Sequence, residues 1–397
     1  MTDPSVAERV STFVADLGGL DAVRQLSQVE ILAARYDAGL AWVHHPEGLG
    51  GYDGDRTDQA LVEAALVEAG VPEPDPYRNP LGTGTIIPTL LRHSPRELCE
   101  QLFKQAWTGE EIWCQLFSEP GAGSDLAGLA CRAVPETRDG VPGWLINGQK
   151  VWTSYAHRAK WGLLLTRSSP ELPKHHGITV FVIDMEQNGV ETRPLRQATG
   201  GAEFNEVFFT DAWVPDSHRV GAVDDGWNVT RTTLMHERMA IGGRSGGRET
   251  GRIGGLAKQW RDNPDLHTPV MADRVVDAWI DVEVARIANE RIRQLAKRGQ
   301  PGLEGSGAKV VFADVNQKAG RVLAQMDPSQ ALLFDDWEDE LQYSELRCVT
   351  FSYLRARANS IEGGTTQVLL TQIADRVLGL PREHAISRDT PWKDIPR

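Results

Sequence analysis

The spacing of apolar residues changes twice along the chain, and this change restricts the fold more than any other feature of the sequence. Up to about residue 110, segments such as VEILAARYDAGLAWV and DQALVEAALVEAG place apolar residues three and four positions apart, as amphipathic helices do. The Gly-rich stretch PEGLGGYDGD predicts a break between them. Over 113–220 the apolar residues instead form short β-branched and aromatic runs bounded by Gly, Asp and Pro, which is typical of strands. After DDGWNVT the helical spacing returns.

The middle and last parts of the sequence contain the clearest individual elements. Asn147-Gly148, between the apolar arms of GWLINGQKVWTSY, predicts a two-residue hairpin turn. HGITVFVIDM and FNEVFFTDAWVP predict strands. One long helix is predicted by a single apolar stripe of Val276, Ile280, Val284, Ala288, Ile292 and Leu295. The sequence therefore predicts an α+β multidomain protein with a helical domain at 1–112, a β domain at 113–220 and a helical domain at 221–397.

Charge and cysteine content exclude several classes of protein. The formal net charge is −13 and acidic and basic residues are mixed, whereas a nucleic-acid surface needs a basic face. No apolar run reaches the ~18 residues of a membrane span, and the polar N-terminus is unlike a signal peptide. The histidines lack metal-ligand spacing, so no metal is predicted. We expect a cytoplasmic protein with reduced thiols, because no CxxC pair occurs among Cys99, Cys114, Cys131 and Cys348.

Three motifs, in family order and spacing, resemble those of the acyl-CoA dehydrogenase family. They are LFSEPGAGSDLAGL (116–129), INGQKVWTSYA (146–156) and IEGGTTQVLLTQIADRVLGLPRE (361–383). The resemblance covers nearly the whole chain. It implies an N-terminal α-helical domain, a small middle β-barrel or sandwich domain and a C-terminal four-helix bundle. It also implies FAD as cofactor, an acyl-CoA thioester as substrate and a 2-enoyl-CoA as product.

Two of these motifs have a physical interpretation beside the resemblance. The small residues of SEPGAGSD expose backbone N–H groups that can approach an anion or a flavin edge, although composition alone fits a surface loop equally well. Strand alternation places Trp152 and Ser154 on one face, where an indole can cover a flat ring; without the resemblance, Trp152 fits a sheet core better.

The resemblance assigns contacts within these motifs. It implies that Ser118 faces the flavin pyrimidine, that Trp152 covers the isoalloxazine, and that Thr153 and Ser154 lie near its reactive edge. It places Gly123 and Ser124 by the pyrophosphate or the CoA arm. The complete set of implied cofactor contacts is Phe117, Ser118, Gly123, Ser124, Trp152, Thr153, Ser154, Thr365 and Gln367, with Ser124 also implied as a substrate contact.

The sequence departs from the family at the catalytic base, because Gly363 occupies the position where the family commonly has its glutamate. The second family location, on the first long helix after the β domain, matches Glu237-Arg238 in TTLMHERMAIGG. The resemblance therefore implies Glu237 as the base, and its apolar neighbours would raise its pKa toward that of a working base. Arg238 is either a structural partner or a substrate contact. Two alternatives stay open: Glu237 as a surface residue paired with an arginine, and Glu362 as the base.

Two segments that hold the neighbour's FAD in family homotetramers are missing. Residues 256–274 have no Phe-Gly, and residues 336–351 have no Gly-Gly, although Gln342 remains. This pattern resembles bacterial dehydrogenases built from two different chains, some acting on steroid side chains. We expect a hetero-oligomer, or a homodimer with another contact to the ADP end, with an electron-transfer flavoprotein as electron acceptor. The alternatives are a flavin oxidase or monooxygenase of the same fold and a non-catalytic partner subunit.

Overall fold

The computed structural model describes residues 5–75, 78–242, 247–298, 304–333, 349–381, 387 and 389–396. Its residue contacts divide the chain into two compact units. The first unit comprises Met1–Gly121, Ala127–Arg193 and Asn205–Thr230, and the second comprises Ala122–Leu126, Pro194–Phe204 and Arg231–Arg397. The first unit therefore contains both the early helices and most of the sheet. The division into three domains at 1–112, 113–220 and 221–397 stays a prediction.

The first unit begins with the predicted helices. They are α1 (Val6–Asp16), α2 (Leu20–Val23), α3 (Gln28–Asp37), α4 (Asp58–Glu68), α5 (Ile87–His93) and α6 (Arg96–Thr108). Ser5 and Ser27 begin α1 and α3 with capping boxes, in which the serine and the glutamate three residues later bond to each other's backbone N–H. The predicted Gly-rich break lies between α3 and α4. The core that joins α1, α2, α3 and α4 contains Val10, Phe13, Val23, Ile31, Leu40 and Val62.

An eight-stranded sheet follows the helices. Its strands are β1 (Trp113–Leu116), β2 (Arg132–Arg138), β3 (Val141–Ser154), β4 (Trp161–Arg167), β5 (Ile178–Asp184), β6 (Val190–Leu195), β7 (Phe204–Pro215) and β8 (Arg219–Val220). The strand order is β6-β7-β3-β2-β4-β5-β8, and β1 pairs in parallel with β4. Since β4 and almost all of β5 are buried, their sequences are mostly apolar on both faces. The predicted strands within 113–220 are confirmed.

The predicted hairpin turn at Asn147-Gly148 is wrong. The turn is Asp139-Gly140, because Arg138 lies opposite Val141 and both loop residues have positive φ, +50° and +79°. Asn147 and Gly148 lie inside β3. The Asn147 side chain bonds to both the carboxylate and the backbone N–H of Asp211, at 2.9 and 3.0 Å. A Cβ at Gly148 would lie 2.7 Å from the Cα of Cys131, so the close approach of β2 requires glycine there.

The chain returns to helices after the sheet, as predicted. They are α7 (Gly226–Gly242), α8 (Gly251–Asp262), α9 (Pro269–Lys297), α10 (Glu304–Met326), α11 (Val349–Arg355) and α12 (Thr366–Arg376). The predicted long helix is α9, but its predicted stripe does not form the core. Val276, Ile280 and Val284 are 54, 48 and 59% exposed, while Val275 and Ala278 on the same helix are buried.

Two general properties complete the description. Within the described ranges, no helix is both long enough and apolar enough to cross a membrane. Cys99, Cys114 and Cys131 are buried free thiols, and burial raises the pKa of Cys99 to about 11. Such thiols are unreactive near neutral pH. Cys348 and Gln342 lie outside the described residues.

Candidate active site

A buried ion pair fixes the turn that follows β1. Lys150 is fully buried in β3 and donates from Nζ to Glu119 Oε1 at 2.8 Å and to the Phe117 carbonyl at 3.0 Å. The Glu119 carboxylate, 8% exposed, also accepts from the backbone N–H groups of Ala130 and Cys131 at 2.6 and 2.9 Å. The start of the SEPGAGSD turn is therefore tied to β3 and to the backbone that leads into β2. Charge-assisted bonds of this kind compensate the cost of burying the two charges.

The end of β3 lies beside Ser118. The backbone N–H of Val151 donates to the Ser118 carbonyl at 2.9 Å, so the structure brings Ser118 next to the residues predicted to contact the flavin. Trp152 has a φ of +61° and is 60% exposed, so the sheet-core alternative for this residue is wrong. Thr153 is buried and Ser154 is half-buried, as alternation predicts. A large exposed indole on a left-handed backbone is uncommon away from functional sites.

Thr153 contains a buried polar atom available for a ligand. Its Oγ1 has no hydrogen-bond partner within the part of the chain that the structure describes. Its backbone carbonyl accepts from Asn205 Nδ2 at 2.9 Å, and Asn205 Oδ1 lies 3.1 Å from His157 Nδ1. Asn205 is fully buried and therefore fixes the course of the chain on both sides of this strand end. An unpaired buried hydroxyl costs about 1–3 kcal/mol unless a ligand group bonds to it.

The remaining residues of the first motif have different environments. Phe117 is buried at 4% exposure, and its carbonyl is occupied by Lys150. Gly123 and Ser124 are exposed, and they belong to the segment Ala122–Leu126, which clusters with the second unit. A Cβ at Gly123 would meet nothing within 4 Å, so a ligand has room to approach its backbone.

Glu237 is half-buried on α7. Sequence reasoning missed the buried lysine Lys309, on whose pKa Glu237 acts. Lys309 on α10 is 4% exposed and donates from Nζ to the Gly364 carbonyl at 2.6 Å. Burial lowers the pKa of Lys309, whereas the negative charges of Glu362 and Glu237 raise it. Glu237 is therefore within electrostatic reach of the lysine that holds the Gly363-Gly364 turn. The side chain of Arg238 lies outside the described residues.

The alternative base, Glu362, is engaged by other groups. Arg355 donates from Nη1 and Nη2 to its two carboxylate oxygens at 3.0 and 2.9 Å, and Asn359 Nδ2 donates at 2.7 Å. Asn359 also accepts from Asn316 on α10 at 3.4 Å. On the other side, Arg355 Nε lies 4.0 Å from Glu203 Oε1. The bidentate arginine and Asn359 together fix the orientation of the Glu362 carboxylate.

The residues predicted to reach the dinucleotide lie at the start of α12. Thr365 caps this helix, because its side chain accepts from the backbone N–H of Val368 at 3.2 Å. Gln367 is exposed in the first turn of the helix. The Oγ1 of Thr366 is buried and has no hydrogen-bond partner in the described segments. The N-terminus of a helix favours anions, so this end of α12 fits a phosphate-bearing ligand.

The structure thus groups the predicted residues into two sets. Ser118, Trp152, Thr153 and Ser154 come together in the first unit, while Glu237, Thr365 and Gln367 lie in the second. The groups that position them, Lys150, Asn205 and Lys309, were missed. The sequence did contain a signal for the two lysines, because each stands among apolar residues, in GQKVW and GAKVVF. A lysine is rarely buried unless it is paired, so a lysine in such a segment indicates a partner elsewhere in the fold.

Comparison with known proteins identifies the family. Residues 114–212 match the family model for the acyl-CoA dehydrogenase middle domain, and residues 224–378 match that for the C-terminal domain. Acyl-CoA dehydrogenase IpdE1 of Mycobacterium tuberculosis is 33% identical over 350 residues, covering 87% of this chain and 86% of IpdE1. The chain belongs to the acyl-CoA dehydrogenase family. These proteins are flavoprotein oxidoreductases that act on CH–CH bonds, so the predicted family and enzyme class are confirmed.

Two further relatives extend the comparison. Acyl-CoA dehydrogenase FadE34 of M. tuberculosis is 38% identical over 395 residues, which are 96% of this chain but 52% of FadE34, so the chain spans about half the length of that relative. The solved structure of the Tcur3481–Tcur3483 steroid ACAD superposes with a TM-score of 0.72 at 24% identity, over 96% of this chain and 99% of that one. This likeness confirms the predicted α+β multidomain fold.

Proposed function

We propose that this protein is an FAD-dependent acyl-CoA dehydrogenase in which Glu237 removes the α-proton of an acyl-CoA thioester. The β-hydride leaves in the same reaction, and the product is a 2-enoyl-CoA. The observation that carries the assignment is the state of the other candidate base, Glu362, whose two carboxylate oxygens accept from Arg355 at 3.0 and 2.9 Å. The assignment is further supported by Glu237, half-buried on α7, whose negative charge acts on Lys309, the residue that donates to the Gly364 carbonyl in the turn where the family commonly has its base.

The residues at the end of β3 fit a bound flavin. Trp152 offers an exposed indole to cover a flat ring, and the Thr153 hydroxyl is a buried donor that lacks a partner in the described residues. Ser118 and Ser154 add hydroxyls, and the buried Phe117 precedes Ser118. In the second unit, Thr365, Gln367, Gly123 and Ser124 are the candidates for the dinucleotide and the CoA arm. When bound, FAD supplies the acceptor for the substrate's hydride.

Glu237 is the better of the two candidate bases. A general base must be ionised and able to accept a proton when the substrate arrives. Glu362 has both oxygens bonded to Arg355, and removing its negative charge would leave that arginine, 7% exposed, partly unpaired. Glu362 is therefore committed to its ion pair with Arg355. Arg238, next to the base, is retained as a proposed substrate contact.

A second chain completing the cofactor site is part of the proposal. The Phe-Gly and Gly-Gly segments that hold a neighbour's FAD are missing from this sequence. A pairing of two different chains is supported by the Tcur3481–Tcur3483 steroid ACAD, which has the same fold and is named after two chains. The exposed apolar face of α9 offers a surface for a partner, either a different dehydrogenase-like chain or a second copy. An electron-transfer flavoprotein is the proposed electron acceptor.

The test is turnover of Glu237→Gln against a panel of straight, branched and steroid-linked acyl-CoA thioesters. We expect turnover to fall by ~10²–10⁴-fold while FAD content stays unchanged. Glu362→Gln is the control carboxylate, and we expect it to reduce thermal stability while keeping turnover per folded chain within about tenfold of the wild type. If the Glu237→Gln variant turned over its substrate as fast as the wild type does, the assignment of Glu237 as the base would be refuted.

Two further readouts separate the alternatives. Fast reoxidation of the substrate-reduced flavin by air would indicate an oxidase. Absence of FAD even after the second chain is added would indicate a non-catalytic subunit. FAD that appears only with the second chain supports the proposed pairing.

A further inference from the structure

Asn205 is a fully buried amide at the start of β7, and both ends of its side chain are bonded to the segment that follows Trp152. Its Nδ2 donates to the Thr153 carbonyl at 2.9 Å, and its Oδ1 lies 3.1 Å from His157 Nδ1. All these residues belong to the first unit. Burying an amide is costly unless it is hydrogen-bonded, so the packing of β7 alone does not explain an asparagine here. The amide therefore serves the segment that it binds.

The segment that Asn205 binds has an unusual backbone. Trp152 and Tyr155 have φ of +61° and +59°, a left-handed conformation that favours glycine. Large residues keep this conformation only where the surrounding contacts hold them in it. Before Trp152, the preceding residue donates its N–H to the Ser118 carbonyl at 2.9 Å. After Trp152, the Thr153 carbonyl is held by Asn205. The left-handed tryptophan is therefore fixed from both sides, and Asn205 supplies the second of the two bonds.

The same geometry determines which nitrogen of His157 carries the proton. A carbonyl oxygen can only accept a hydrogen bond, so the atom of Asn205 that faces the Thr153 carbonyl is the amide nitrogen. The atom that faces His157 is then the amide oxygen, and the imidazole must donate from Nδ1. In the neutral ring Nε2 is consequently unprotonated. His157 thus bonds to the oxygen of the amide and keeps its nitrogen directed at Thr153.

We propose that Asn205 and His157 form a positioning pair that holds the Trp152 indole and the Thr153 hydroxyl in place for the flavin. The inference rests on the proposed function, because it gives the pair a task at the FAD site. Thr153 Oγ1 is buried and has no hydrogen-bond partner among the residues that the structure describes. Such a group binds a ligand well only when the backbone that carries it is fixed beforehand. Neither Asn205 nor His157 transfers a proton in this scheme.

The first test is the binding of FAD, measured in the assembly in which the protein holds it. Asn205→Leu removes both bonds at similar volume, and we expect the affinity for FAD to fall about tenfold. At saturating FAD, the visible absorption spectrum of the bound flavin should move toward that of free FAD, which a loss of stability alone would not cause. Asn147→Leu is the matched control. Asn147 also links β3 to β7, through Asp211, but it lies earlier in β3, so neither quantity should change.

Variants of His157 separate the two bonds of the Asn205 amide. His157→Gln can still donate to the Asn205 oxygen and should keep the affinity for FAD within about threefold of the wild type. His157→Phe cannot donate, so it should bind FAD more weakly than His157→Gln but more tightly than Asn205→Leu, which also loses the bond to Thr153. If Asn205 acts through the indole, combining Asn205→Leu with Trp152→Gly should weaken binding by less than the product of the two single effects.

The second test requires neither FAD nor activity. NMR of the flavin-free protein, labelled with nitrogen isotope in its histidines, reports the protonated ring nitrogen of His157, assigned by its loss in His157→Gln. We expect a proton on Nδ1 in the wild type and loss of this preference in Asn205→Leu. A proton on Nε2 in the wild type, or a bound flavin whose affinity and spectrum are unchanged in Asn205→Leu, would overturn the proposal. Inactivity on every thioester would refute the proposed function, whereas FAD binding and the His157 proton would still decide this inference.

Discussion

Lys150 and Glu119 form an ion pair 2.8 Å long in the interior of the first unit, and this pair joins the end of β3 to the turn after β1. The lysine is fully buried and the glutamate is 8% exposed. Because Ser118 precedes Glu119 and Trp152 follows Lys150 by two residues, the pair sets the relative position of two proposed flavin contacts. We therefore expect the ion pair to contribute to the affinity for the cofactor as well as to the free energy of unfolding.

Lys150→Met should lower the free energy of unfolding by about 3 kcal/mol, because it leaves the Glu119 carboxylate buried with only backbone donors. It should also weaken FAD binding, since the turn loses its tie to β3. Urea denaturation and flavin titration measure the two effects. Lys160→Met is the matched control, because Lys160 pairs with Asp184 and Glu186 nearer the surface, and its loss should cost at most about 1 kcal/mol. Equal losses in the two variants would contradict this assignment.

Trp152 combines an exposed side chain with a strained backbone, so its replacement should separate function from stability. Trp152→Gly relieves the left-handed strain at φ +61° and should leave the stability of the flavin-free protein unchanged or raise it by up to about 1 kcal/mol. The same variant should bind FAD at least tenfold more weakly, because the covering indole is gone. Trp152→Phe should retain part of the affinity. A flavin-free Trp152→Gly protein that melts well below the wild type would indicate that the indole serves packing instead.

The sequence predicted the elements well wherever apolar spacing is set by one buried face. It failed at Asn147-Gly148, since Asp139-Gly140 satisfies the same turn rule and only the partner strand decides between them. It also failed for the core face of α9, because Val275 and Val276 are equally apolar in sequence but only Val275 is buried. Lys309 is separated by many residues from both Glu237 and Gly364, and local patterns carry no information on such pairs.

The exposed apolar face of α9 should control assembly. Ile280, Val276 and Val284 are about half exposed in a single chain, and contiguous patches of this kind mark protein interfaces. Ile280→Asp should convert the native assembly to smaller species at equal concentration, measured by light scattering during size-exclusion chromatography. Val67→Asp, on the exposed side of α4 at 50% exposure, is the matched control and should leave the mass unchanged. An unchanged mass for Ile280→Asp would remove α9 from the interface.

His45 should make the first unit sensitive to acid. It is 1% exposed and stacks on Trp42 with ring centroids 4.8 Å apart, and burial, with help from His44, lowers its pKa from 6.5 to about 4. Between pH 6.5 and 4 the imidazole of the unfolded chain is protonated, whereas that of the folded chain stays neutral. The free energy of unfolding therefore falls as the pH falls over this range, by up to about 3 kcal/mol. His45→Phe cannot titrate, and its stability relative to the wild type should improve steadily over this range in urea denaturation. A constant difference between the two proteins from pH 7 to pH 4 would show that His45 does not titrate as its burial requires.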